Sequence, residues 1–143
     1  MDRVLILLFL FMIIYIDIKK LYIPNILNFS LFIVAIIYKG VDFNTVENSI
    51  IGMGVYPIPL LFLYGYLSDI LGREVFGFGD IKLLMGLGYI LGYTTFFDIY
   101  IYYLISFISA SIIGIIFLLR KSREKEIPFS PFLTIGFLFL WLR

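Results

Sequence analysis

Charge in this chain is confined to gaps between long apolar stretches. Thirteen uncharged residues run from Val4 to Ile16 before Asp17 interrupts them, and within Ile81–Leu91, after Asp80, only Lys82 is charged. Six such stretches can be drawn, punctuated by charge, proline and glycine: approximately Val4–Ile18, Pro24–Tyr38, Asn48–Leu67, Asp80–Gly92, Phe97–Leu119 and Pro128–Leu142. Several fall short of the ~20 residues of an average span, so tilt, snorkelling lysines or a thinned bilayer must make up the difference. The expected fold is all-α: a polytopic membrane protein in which residues 1–143 form one integral-membrane domain, a bundle of six transmembrane helices.

Composition narrows the chemistry. At 62% hydrophobic and 15% charged, with a mean hydropathy of +1.07, the 143 residues cannot clothe a soluble domain. Cysteine and histidine are both absent, which removes disulfides, thiolate metal sites, the usual general base and the commonest metal ligand. A net charge of +1 implies no nucleic-acid partner. Catalysis, if any, rests on carboxylates, hydroxyls, lysines and backbone groups, with no cofactor and no metal. The first apolar run lacks a basic leader and a small-residue cleavage site, ending instead in Asp17-Ile18-Lys19-Lys20. It is therefore read as a retained first span.

Orientation follows from the basic residues. With the N-terminus outside, the inner loops hold Lys19, Lys20, Arg73, Lys82, Arg120, Lys121, Arg123 and Lys125, eight in all, against Arg3, Lys39 and Arg143 outside. Six spans then return the C-terminus to the outside. Asp17 closes span one and Asp80 opens span four on the same, cytoplasmic side. An ionisable group at membrane depth costs a few kcal/mol on insertion scales (~2.5–3.5) and usually marks function. Two that share a side suggest an aspartic dyad that activates water. The structural alternatives are an N-cap for Asp80 and an ion pair with Lys20 or Lys121 for Asp17.

The flanking residues sharpen this. Asp17 lies in Asp-Ile-Lys-Lys-Leu-Tyr-Ile-Pro-Asn, where Pro24 suits the first turn of span two and Asn25 follows it. Asp80 lies in Gly77-Phe78-Gly79-Asp80-Ile81-Lys82, whose glycines permit a sharp turn or a close backbone approach. A third element, Ile127-Pro128-Phe129-Ser130-Pro131-Phe132, opens the last span. In order and spacing the three resemble the type IV prepilin peptidases, membrane aspartic proteases of the GxGD type, over essentially the whole chain. The short architecture is also similar to archaeal preflagellin peptidases.

The resemblance implies that Asp17 and Asp80 are the catalytic pair, supported by Gly77, Gly79, Lys82, Pro24, Asn25, Pro128 and Pro131. It implies an endopeptidase of the inner (cytoplasmic) membrane, its site facing the cytoplasm, that cuts the short basic leader from prepilin-like precursors just before their hydrophobic helix. The partners are that precursor and membrane lipid, with a homo-oligomer left open. Larger bacterial members carry a methyltransferase region with paired Cys-x-x-Cys motifs; this chain has five residues between its first two spans and no cysteine, so cleavage without methylation is expected. Ser130 stands where the family often has glycine, a change expected to be tolerated.

Other features have plainer readings. Lys82 is either a topology anchor or an electrostatic tuner of the dyad. Glu74, Glu124 and Glu126 are read as solvated loop residues, Asp69 as the polar exit of span three, and Asp98 as an outer-side residue. Gly86 with Gly88-x-x-x-Gly92 should let span four pack closely on a neighbour, and Pro57 and Pro59 should kink span three. The rival classes are a small transporter, which would more often hold its acids near the midplane, and a non-catalytic scaffold, which needs no matched acids.

Overall fold

The computed structural model describes residues 2–72, 77–119 and 127–143. These form seven α-helices with no strand among the described residues: α1 Asp2–Lys20, α2 Asn25–Lys39, α3 Phe43–Val55, α4 Ile58–Leu71, α5 Phe78–Leu91, α6 Phe96–Leu119 and α7 Ser130–Leu142. The fold is all-helical as expected, and the seventh helix arises because the third apolar run is broken rather than kinked. Pro57 and Pro59 remove two amide donors in three residues, so α3 stops at Val55 and α4 restarts at Ile58. The Tyr103 hydroxyl donates to the carbonyl of Tyr56 at the break, so a neighbouring helix supplies a donor there.

Several boundaries differ from the sequence reading, and the third run ends at Leu71 rather than Leu67. The third run begins at Phe43, not Asn48, because Asn44, Thr45, Glu47 and Asn48 sit on an amphipathic first turn that hydropathy alone discards. The fourth begins at Phe78. Its N-cap is Gly77, and Asp80 stands three residues further in, which corrects the N-cap alternative for Asp80.

Helix α5 is the centre of the bundle, packed against α2, α3 and α7; α1 meets α2 and α7, and α6 lies along α7. Nine of its residues, from Asp80 to Ile90, are buried. Its closest neighbour is α3. A Cβ built on Gly52 would run into the carbonyl of Gly88 and the backbone of Gly92, so glycine at these crossings lets the two backbones touch. The small-residue spacing of span four therefore serves packing within the bundle. On the other flank Gly136 of α7 leaves room for Ser106 and Tyr102 of α6, and the Tyr102 hydroxyl donates to the Leu133 carbonyl at 2.8 Å.

The exterior is apolar. Ile26, Phe29 and Phe62 are each about two-thirds or more exposed. Among the described residues two stretches are long and apolar enough to cross a membrane: Phe43–Ile70, which runs through the break, with mean hydropathy 1.6, and Phe96–Phe117 with mean hydropathy 2.1; each is mostly exposed, with 22% of its most apolar window buried. Polar side chains collect at the ends. At one end Lys39 of α2 approaches Gly92, and Arg143 pairs with Asp98 at 3.5 Å, with Asp98 also accepting from Thr94 and Thr95. At the opposite end, the end of α1 meets the starts of α2, α5 and α7. That end holds both candidate aspartates.

Candidate active site

Asp17 lies in the last turn of α1. The helix stops because Leu21 adopts φ +51 and donates its amide to the Asp17 carbonyl at 2.8 Å. The Asp17 side chain points inward and is only 5% exposed. Its partner is the backbone amide of Ser130, 3.1 Å from Oδ2, at the first residue of α7. The ion pair with Lys20 considered from sequence does not form, Lys20 being exposed; Lys121, the other partner considered, lies outside the described residues. Lys19 instead donates to the Tyr15 hydroxyl and lies over its ring.

Asp80 comes from the first turn of α5 and is 8% exposed. Its amide closes the turn onto the Gly77 carbonyl at 3.0 Å. Its Oδ1 is buried without a hydrogen-bond partner, while Oδ2 lies against the Gly77 turn. Asp17 and the Tyr102 phenol of α6 both lie within electrostatic reach of this carboxyl. Residues separated by 63 positions are thus both buried at one end of the bundle, within electrostatic range of each other, and Ser130 joins Asp17 to α7.

The glycines position α5. A Cβ on Gly79 would come 3.1 Å from the Ile23 Cβ, so the α1–α2 turn can press against the start of α5 only over a glycine. Two side chains of α2 then tie the turn down. Asn28 donates Nδ2 to the Gly79 carbonyl at 3.1 Å, and Lys82 donates Nζ to Asn25 Oδ1 at 2.8 Å while lying over the Phe78 ring. Because the Gly79 carbonyl needs a donor, the Asn28 amide orientation is fixed, and its Oδ1 is left buried and unpartnered. Pro24 caps α2, and Pro131 sits in the first turn of α7, where its missing N–H costs nothing. Pro128 precedes that turn and is half-buried.

Asn28 escaped the sequence reading, and Ser130 entered it only as a replacement for glycine, not as a donor. Asn28 had a signal, a polar amide inside an apolar run one turn after Asn25. Ser130 had none, since it acts through a backbone amide that almost any residue supplies. Arg73, Glu74, Arg120, Lys121, Arg123, Glu124, Lys125 and Glu126 lie outside the described residues; Asp69 is exposed. A cavity of about 600 Å³ between α2, α3 and α5 is lined by Asn28, Phe32, Met53, Lys82 and Met85, among others, but by neither aspartate. At 100° per residue, Lys82 and Met85 face away from Asp80.

The Type IV leader peptidase family profile matches residues 4–119. The chain is 34% identical over 144 residues to the prepilin leader peptidase/N-methyltransferase of Vibrio cholerae serotype O1, covering 92% of this chain and 51% of that protein. It is 29% identical over 134 residues to the enzyme of the same name from Pectobacterium carotovorum, covering 92% and 47%. For Aeromonas hydrophila the identity is 31% over 129 residues, covering 85% and 42%. The chain spans about half the length of these relatives or somewhat less. No solved structure matches. The chain belongs to the Type IV leader peptidase family.

Proposed function

We propose that this protein is a membrane-embedded aspartic endopeptidase that removes the leader from type IV prepilin-like precursors at the cytoplasmic face of the inner membrane. The observation that carries this reading is the buried pair Asp17–Asp80, assembled from separate helices at one end of a bundle whose exterior is apolar. Side chains such as Phe29 and Phe62 face outward where a soluble protein would have polar groups, which suits hydrocarbon as the solvent. The apolar runs then cross six times. The basic residues put the acid pair inside, with Lys39, Asp98, Arg143 and both termini outside.

The chemistry needs no further parts. Two close buried carboxyls resist joint ionisation, so the pair holds one proton. The ionised member takes a proton from water as the water oxygen attacks the scissile carbonyl carbon. The protonated member gives its proton to the carbonyl oxygen. Collapse of the tetrahedral intermediate breaks the C–N bond: the leaving nitrogen takes the water-derived proton, and the hydroxyl formed from the carbonyl oxygen returns its proton to the other carboxyl, so the pair again holds one. The relatives' names join a peptidase to an N-methyltransferase, and the stretch matched here is about half their length. We assign cleavage to this stretch; the five-residue link between its first two spans and the absence of cysteine support cleavage without methylation.

The test is to incubate the purified protein with pilin, pseudopilin and archaellin precursors. A shortened product with an unmethylated new N-terminus is expected. If none of these precursors is cut, the peptidase reading fails.

A further inference from the structure

The two aspartates are held differently, and we infer that Asp17 is the ionised member of the pair, Asp80 the protonated one, with the Ser130 backbone amide as the positioning group that sets this division. The inference rests on the dyad reading above and adds the roles that reading leaves open.

Ser130 is the first residue of a thirteen-residue helix. Behind it the amides of Phe132 and Leu133 turn back to the Phe129 carbonyl, and Pro131 has no N–H. The Ser130 amide is thus the donor that α7 directs at Asp17, 3.1 Å away, with both residues buried. An N–H bond to a carboxylate is stronger than one to a neutral acid. Asp80 is served on one oxygen only: the Gly77 backbone lies against its Oδ2 and favours the charged form, but among the described residues no donor reaches Oδ1. That oxygen is sealed from water, which is the worst placement for a negative charge and a tolerable one for a neutral carboxyl.

Other charges do not overturn this asymmetry. Lys19 and Lys20 of α1 are exposed, and Lys82 of α5 is engaged by Asn25 of α2. Tyr102 of α6 spends its hydroxyl on the Leu133 carbonyl of α7. Among the described residues the one ion pair, Arg143–Asp98, lies at the opposite end of the bundle.

The cycle then runs in one direction. Asp17 accepts the water proton while Asp80 protonates the carbonyl oxygen. As the intermediate collapses, Asp17 passes its proton to the leaving nitrogen and the new hydroxyl returns one to Asp80. The resting state is restored without net loss.

Infrared spectroscopy with carbon-13 aspartate tests the division directly, without substrate. At neutral pH the protein should show one protonated-carboxyl C=O band, which persists in Asp17→Asn and vanishes in Asp80→Asn. Any other pattern, including no such band or its loss from both variants, overturns the inference. A second measurement isolates Ser130. In precursor cleavage, Ser130→Pro removes the amide donor and should move the acid limb of the pH–rate profile up by roughly one pH unit, while Ser130→Gly, which keeps the amide, should leave the limb in place. If both variants share the wild-type limb, the part assigned to Ser130 is wrong; if Ser130→Pro does not fold, the infrared pattern decides alone. A protein with the expected bands that cuts no precursor refutes the peptidase reading and not this one; cleavage with the wrong band pattern does the reverse.

Discussion

A carboxyl group withdrawn from water is expensive unless donors or a proton compensate it, and Asp17 and Asp80 are compensated in different ways. Asp17→Asn and Asp80→Asn each keep the side chain's shape and ease the burial of charge. Each should lower precursor cleavage by roughly 10²–10⁴-fold or more, while expression and thermal stability in detergent stay near wild type. Comparison of cleavage rates and melting curves checks both halves. Asn28 acts at one remove. Asn28→Ala frees the Gly79 carbonyl and should cost ~0.5–1.5 kcal/mol of stability, and a drop in kcat larger than any rise in KM would mark it as holding the Asp80 turn. The aspartates were legible in the sequence because charge inside apolar runs stands out. The donor to Asp17 was not, because a backbone amide leaves no trace in residue type and its 113-residue separation leaves no local pattern.

Helices here pack through absence of side chain. Gly88 touches the Gly52 backbone, whereas Gly54, on the same helix as Gly52, meets nothing within 4 Å. Gly88→Val should force α3 and α5 apart at a cost of ~1–3 kcal/mol or more, with cleavage falling as Asp80 shifts. Gly54→Ala should leave both stability and cleavage unchanged. Thermal unfolding of the two variants in one detergent separates the cases, and equal destabilisation would refute the α3–α5 contact. The close packing and a disturbance of the helix at Pro57 could be anticipated from glycine spacing and paired prolines, though as a kink rather than a break. Which helix the glycines faced, and the start of α3 at Phe43, depended on tertiary contacts that hydropathy does not encode.

The whole molecule has a polarity, with acids at one end and the Asp98–Arg143 pair at the other. Since the chain has no cysteine, single-cysteine variants report its orientation without background. Val41→Cys and Arg143→Cys should react with an impermeant maleimide added to intact cells, and Leu21→Cys only after permeabilisation; the reverse pattern would invert the proposed topology. Cleavage should persist in strong chelators and in serine- or cysteine-directed inhibitors, because zinc would lack its preferred ligands. It should fall at high pH, where the pair loses its shared proton and no neutral carboxyl is left to serve the carbonyl oxygen. Rescue of a chelated sample by a divalent metal would favour a metalloenzyme instead. Finally, the bond from Ser130 to Asp17 has a consequence for biogenesis. Helices α1 and α5 precede α7 in translation, yet the amide that Asp17 accepts from belongs to α7. A nascent or stalled chain that stops short of α7 would therefore carry both acids without the means to use them, and proteolytic competence would arrive only once α7 is in place.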